Sequence, residues 1–211
     1  MDLFNQIIAA LTGGKANEVK QLTEEGLAAK ISPIDIINQG LIAGMEIIAV
    51  KFKKNEIFVP EVMLAAKAMQ AGLSILKPLL AETDHEPLGK VVIGTVKGDQ
   101  HDIGKNLVAM MLEGAGFEIT DLGSNVPADK FINIIREKKP QILALSALLT
   151  TTMPEMANVI KKLETENLRN SIKVIIGGAP VSENYAEKIG ADGYAPDAGK
   201  AVEVAKNLLS L

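Results

Sequence analysis

Asp99, His101 and Gly104 stand in the spacing D-x-H-x-x-G, where a short apolar run at 90–96 gives way through Gly98 to an amphipathic segment. An imidazole on such a strand-to-helix loop, with a carboxylate two residues before it, is built to present one ring nitrogen outward. The carboxylate holds the other N–H and fixes the tautomer, as the partners of metal-bound histidines do. One histidine makes no all-protein metal cage. It supplies a single axial ligand to a metal that brings its own ring.

Other roles compete for the same residues. Asp99 and Asp102 can each cap the helix expected to start near Ile103. Having both suggests a division of labour, with Asp102 at the helix and Asp99 at the imidazole. His85, the other histidine, lies in a polar segment and is read as solvated. The run 94–99 is not a Walker loop, because no Gly-Lys-Ser/Thr follows, and the chain has no G-x-G-x-x-G; nucleotide binding at this loop is disfavoured.

Two more segments carry residues suited to a ligand. Ser146, Thr150, Thr151 and Thr152 surround Leu148 and Leu149, more hydroxyls than one helix cap needs. They fit a slot with apolar walls and a hydrogen-bonding rim. Gly177, Gly178 and Ala179 precede Pro180. Their small size suits either a flat ligand lying against backbone or a tight turn, and the sequence leaves both open.

The elements that must position these residues change in kind near residues 82–89, a polar stretch with Pro87 and Gly89. Before it the chain reads as helix at 2–11 and 15–29. Ser32 and Pro33 then open a third helix with Ile34, Ile37, Leu41, Met45 and Ile48 at spacings of three and four. Pro60 starts a fourth, with Val62, Ala66, Met69, Leu73, Leu76 and Leu80 on one stripe; Pro78 is expected to kink or fray its end. Four helices with short joints predict a small bundle.

After the break, apolar runs at 90–96, 117–121, 141–146, 172–177 and about 191–195 alternate with helical stretches. Five βα units predict an open parallel sheet covered on both faces. Ligands of such sheets bind beyond the carboxyl ends of the strands, here 98–104, 146–152, 177–181 and 194–199.

Composition removes other classes. The 211 residues suffice for one large domain or two small ones, and with 3% aromatics the core must be aliphatic. A net charge of −4 argues against sequence-independent nucleic-acid binding. With no cysteine there is no disulfide, thiolate metal site or thiol nucleophile. No basic n-region with an apolar stretch is read at the N-terminus and no apolar run approaches ~18 residues, so a soluble, cytoplasmic protein is expected.

Taken together, Asp99, His101 and Gly104, then Ser146, Leu148 and Thr150 as S-x-L with a following threonine, then the pair Gly177 and Gly178, resemble the cobalamin-binding module of methionine synthase and of the small corrinoid proteins of methyltransferase systems. Residues 44–60 are similar to that family's cap segment, so the resemblance covers nearly the whole chain. It implies an N-terminal α-helical bundle of four helices plus a C-terminal α/β flavodoxin-like (Rossmann-like) domain with a five-stranded parallel sheet. The implied divisions are a helical cap over the corrin at 1–83, a linker or hinge at 84–89 and a cobalamin-binding domain at 90–211.

The implied cofactor is a cobamide (cobalamin, vitamin B12 or a related corrinoid), cycling between methylcob(III)amide and cob(I)amide. His101 becomes the axial cobalt ligand through Nε2, and Asp99 and Ser146 complete a His–Asp–Ser relay. Gly98, Gln100, Asp102, Ile103, Gly104, Leu148, Thr150, Thr151, Gly177, Gly178, Ala179, Tyr194, Ala195 and Asp197 line the cofactor site from the sheet side. Phe52, Val59 and Met45, with Phe58 adjacent, face it from the cap. A d8 Co(I) centre prefers no axial ligand, so release of the methyl group implies that His101 detaches and that its pair with Asp99 takes up a proton.

The implied activity is that of a methyl-carrying corrinoid subunit rather than a complete enzyme. A substrate-specific methyltransferase loads it, a second unloads it onto tetrahydrofolate or coenzyme M, and a reductive activase rescues oxidised cobalt. No nucleic-acid or membrane partner is implied. The small subunit of an adenosylcobalamin-dependent mutase shares the histidine motif, but the segment 52–60 is out of place there. A cobalamin-binding regulator needs a DNA-binding domain, for which residues 1–83 carry no basic stripe.

Overall fold

The computed structural model describes residues 2–80 and 87–211. They divide into an N-terminal helical unit and a C-terminal α/β unit that begins at Pro87. Residues 84–86 of the expected linker, His85 among them, lie outside the described residues.

In the helical unit, α1 (Leu3–Thr12) and α2 (Ala16–Ala28) turn at Gly13 and Gly14. The third rod is not the single regular helix expected. It starts as α3 (Pro33–Asp35), widens into a π-helical stretch at Ile36–Ile42 and continues as α4 (Ala43–Lys53). Ser32 takes the N-cap position with Pro33 behind it, yet its hydroxyl makes no capping bond. Its carbonyl instead accepts from the Asp35 and Ile36 amides at 3.0 and 3.2 Å.

Glu61 caps the last helix, α5 (Val59–Leu80), by accepting the Phe58 N–H at 3.1 Å. This helix runs through Pro78 and buries Val62, Ala66, Met69, Leu73 and Leu76; the Leu80 side chain lies outside the described set. Pro33–Lys53 and Val59–Leu76 are long and apolar enough to cross a membrane by length and composition, contrary to the expectation of no such run. Both turn an apolar stripe inward, Ile36, Leu41 and Ile48 on one and Val62, Ala65 and Leu76 on the other, all fully buried or nearly so. The core helices of a globular bundle do the same.

In the α/β unit the strands are β1 (Lys90–Thr95), β2 (Glu118–Asp121), β3 (Ile142–Ser146), β4 (Lys173–Gly177) and β5 (Gly193–Ala195). They form one parallel sheet in the order β2-β1-β3-β4-β5. The helices α6 (Ile103–Gly114), α7 (Ala128–Lys138), α8 (Pro154–Thr165), α9 (Glu183–Ile189) and α10 (Ala198–Leu208) connect and close it. Central strands read as unbroken apolar runs because both faces are covered: β1 and β3 are buried except at Lys90 and Ser146. Phe131, Leu143, Leu145, Met156, Ile160, Val174 and Ile176 anchor the core on one face. The order in which strands are laid across the sheet reverses between β1 and β3, the crevice where open sheets of this order take ligands.

Candidate functional site

One register row crosses the carboxyl edge of the sheet: Thr95 pairs with Ser146, Ser146 with Gly177, and Gly177 with Ala195. The segments singled out in the sequence all leave the sheet from this row, so the fold gathers them although they span a hundred residues. The loop after β1 lies at the switch point and carries Asp99 and His101.

Asp99 is fully buried, and both carboxylate oxygens are occupied. Oδ1 accepts from the His101 ring Nδ1 at 2.7 Å and from the His101 amide at 3.1 Å. Oδ2 accepts from the Leu148 amide at 2.7 Å, the Leu149 amide at 3.2 Å and the Thr152 hydroxyl at 2.7 Å. Burial by itself raises the Asp99 pKa. The bonds from Thr152, the His101 ring and the Leu148 and His101 amides outweigh it and hold the carboxyl well below its usual range. An ionised carboxylate is acceptor-only. The proton between the two side chains therefore sits on Nδ1, and in the neutral ring Nε2 carries the lone pair. The His101 side chain is 51% exposed.

The relay differs from the one expected. Thr152, not Ser146, is the hydroxyl on Asp99. Ser146 is the last residue of β3, in the ladder with Thr95 and Gly177, while the turn after the strand folds back and brings Thr152 and two amides onto the carboxylate. Thr152 belongs to a run of three threonines, and nothing in the run marks the third as the buried one. Thr95 also escaped the reading: it is fully buried and donates to the His101 carbonyl at 2.9 Å.

Around His101 the surface is apolar. Ile103, Leu148 and Leu149 are exposed at 74%, 42% and 40%, and Gly98, Gln100, Asp102, Thr150 and Thr151 are exposed at the rim. A Cβ at Gly104 would meet nothing within 4 Å, so nothing in the chain itself requires glycine there. Gly178 is the opposite case: its φ is +130° and a Cβ would lie 1.9 Å from the Ala147 carbonyl oxygen. Backbone packing alone demands that glycine. Ala179 is exposed, Tyr194 half-buried and Ala195 buried. The Asp197 carboxylate caps α10 by accepting from the Lys200 amide at 2.7 Å.

In the helical unit, Phe52 and Val59 are half-buried and Phe58 is 65% exposed. Met45, expected to face the cofactor, is only 2% exposed and belongs to the core. Being apolar at a stripe position describes core and contact residues equally.

Among the described residues no group of three or more His, Cys, Asp or Glu could hold a metal ion. A metal at His101 must bring its other ligands. A ring nitrogen turned away from Asp99, the exposed Ile103, Leu148 and Leu149 and the open position at Gly104 fit a macrocycle that brings the metal's other ligands.

Residues 89–203 match the family of the B12 binding domain, and residues 3–77 match a second B12 binding domain family. Dimethylamine corrinoid protein 1 of Methanosarcina acetivorans is 43% identical over 99% of this chain and 98% of its own length. The trimethylamine corrinoid protein of Methanosarcina barkeri is 41% identical over 96% of this chain and 94% of its own. A chain of the methanol:cobalamin methyltransferase complex of Methanosarcina barkeri superposes with a TM-score of 0.91 at 30% identity, covering 99% of this chain and 80% of that one.

Proposed function

The chain belongs to the B12-binding family of corrinoid proteins, and on that premise we propose that it is the methyl-carrying subunit of a multicomponent methyltransferase. When bound, the cobamide supplies methyl-transfer chemistry at cobalt that no side chain here can supply. Everything else is the work of the protein: binding, orientation and control of one proton.

The observation that carries this reading is the 2.7 Å contact between His101 Nδ1 and the buried Asp99 carboxylate. Asp99 keeps the proton on Nδ1, so that Nε2 would be the atom to hold the cobalt, while Thr152 and the Leu148 and Leu149 amides hold Asp99 in place. Ile103, Leu148 and Leu149 offer the apolar floor, and Gly104 leaves room above α6. Gly98, Gln100 and Asp102 form the near rim. Ser146, Thr150, Thr151, Gly177, Gly178, Ala179, Tyr194 and Ala195, all at the carboxyl edge of the sheet, take the cofactor's tail. Asp197 serves the site through the α10 cap. We assign the helical unit the part of a cap, in which Phe52 and Val59 would shield the cofactor.

The relatives named for dimethylamine and trimethylamine support a methylated amine as donor, delivered by a separate methyltransferase. A second methyltransferase with tetrahydrofolate or coenzyme M as acceptor, and a reductive activase, complete the proposed cycle in the cytoplasm.

The test is direct. Apoprotein refolded with hydroxocobalamin turns red and gives the spectrum of a cofactor with its lower base displaced and a histidine bound. His101→Ala retains the corrin but loses the histidine signature. A colourless wild-type product rejects cobamide binding, and identical spectra for the two proteins reject His101 as the ligand.

A further inference from the structure

The loop between β2 and α7 has no part in the site as read from the sequence, yet it buttresses the histidine loop at five points. The Thr95 amide donates to the Gly123 carbonyl and the Val126 amide to the Thr95 carbonyl, both at 2.9 Å. The Ser124 hydroxyl donates to Gln100 Oε1 at 3.2 Å. The remaining two bonds belong to one residue. The Asn125 amide donates to the Asp99 carbonyl at 2.8 Å, and Asn125 Oδ1 accepts the Gly98 N–H at 2.8 Å.

Asn125 thus holds the two peptide groups that flank the Gly98–Asp99 bond, the N–H of Gly98 on one side and the carbonyl of Asp99 on the other. To do so it adopts a φ of +54°, a conformation that asparagine tolerates better than most residues other than glycine. Gly98 itself has a φ of +82°. Two left-handed residues in facing loops, tied by reciprocal bonds, leave the peptide ahead of Asp99 little freedom. The Asp99 backbone, together with the bonds from Thr152, Leu148 and Leu149, sets the direction of the carboxylate, and the tautomer of His101 follows from the carboxylate.

We propose that Asn125 is a positioning residue for His101, acting through the backbone of Gly98 and Asp99 to set the nitrogen offered to the metal. This rests on the function proposed above, but its test does not. The chain has two histidines, so in a His85→Gln background the long-range proton–nitrogen spectrum of the apoprotein reports one ring. Asn125→Gly accommodates the positive φ, keeps the backbone bond to Asp99 and removes only the side-chain acceptor. Asn125→Asp restores an acceptor in the same place.

At pH 8.5 the parent is expected to show the Nδ1–H tautomer almost alone. Asn125→Gly is expected to show a mixture of tautomers, with Gly98 amide exchange faster by about fivefold, the worth of one hydrogen bond. Asn125→Asp is expected to return both to the parent values. An unchanged tautomer ratio in Asn125→Gly overturns the proposal, and so does an Asn125→Asp protein that behaves like Asn125→Gly. Failure of the parent to bind hydroxocobalamin removes the proposed function and leaves this result standing.

Discussion

Thr152 and Asp99 are separated by 53 residues, and a 2.7 Å hydrogen bond joins the threonine hydroxyl to the buried carboxylate. The bond ties the turn after β3 to the loop after β1 across the sheet's switch point. The first prediction concerns which hydroxyl matters. Thr152→Val removes a donor from a buried charge and is expected to lower stability by about 1–3 kcal/mol. Ser146→Ala, which leaves the carboxylate's partners untouched, is expected to cost under about 1 kcal/mol, within the range of a minor substitution. Urea denaturation of both apoproteins decides it; a larger loss from Ser146→Ala returns the relay to Ser146.

Acid should erase the contribution of Asp99. Its folded pKa lies below its unfolded value, near 3.9, so the stabilisation is complete above that value and is lost as pH falls toward the folded one. The urea midpoints of wild type and Asp99→Asn are expected to differ most at pH 6 and to converge below about pH 4. A gap that stays constant from pH 6 to pH 3 contradicts the ionised carboxylate.

Two glycines should respond in opposite ways. Gly178→Ala places a Cβ on the Ala147 carbonyl and is expected to destabilise the apoprotein by about 3 kcal/mol or more, as overpacking with backbone strain does. Gly104→Ala adds a methyl to open space in a helix and is expected to stabilise the apoprotein by roughly 0.4–1 kcal/mol, while weakening hydroxocobalamin binding. Thermal unfolding reads the first quantity and absorbance titration the second. Undiminished cobalamin affinity in Gly104→Ala would mean that the space is not the ligand's.

The ion pair of Lys105 with Asp121 is lopsided, since the lysine side chain is 1% exposed and the aspartate 37%. Lys105 Nζ also donates to Asn106 Oδ1 at 2.6 Å. Asp121→Ala strands a buried ammonium and is expected to cost about 3 kcal/mol. Lys105→Met leaves an aspartate that water and the Gly123 amide can satisfy, and is expected to cost about 1 kcal/mol. Equal losses in urea denaturation refute the asymmetry.

The amino-acid order alone was enough for the alternation of strand and helix after residue 90, because buried parallel strands are apolar on both faces and end abruptly in glycine and polar residues. It was enough for Asp99 and His101 as well, since two residues on one loop meet whatever the rest of the chain does. It did not separate Ser146 from Thr152, or reveal Asn125, because those partners meet the histidine loop across other strands. Nor did it mark the π-helical stretch at Ile36–Ile42. Local spacing determines which residues can touch their neighbours in the chain. Which hydroxyl reaches a carboxylate 53 residues away depends on how a turn folds back over the sheet edge, and only the tertiary structure settles that.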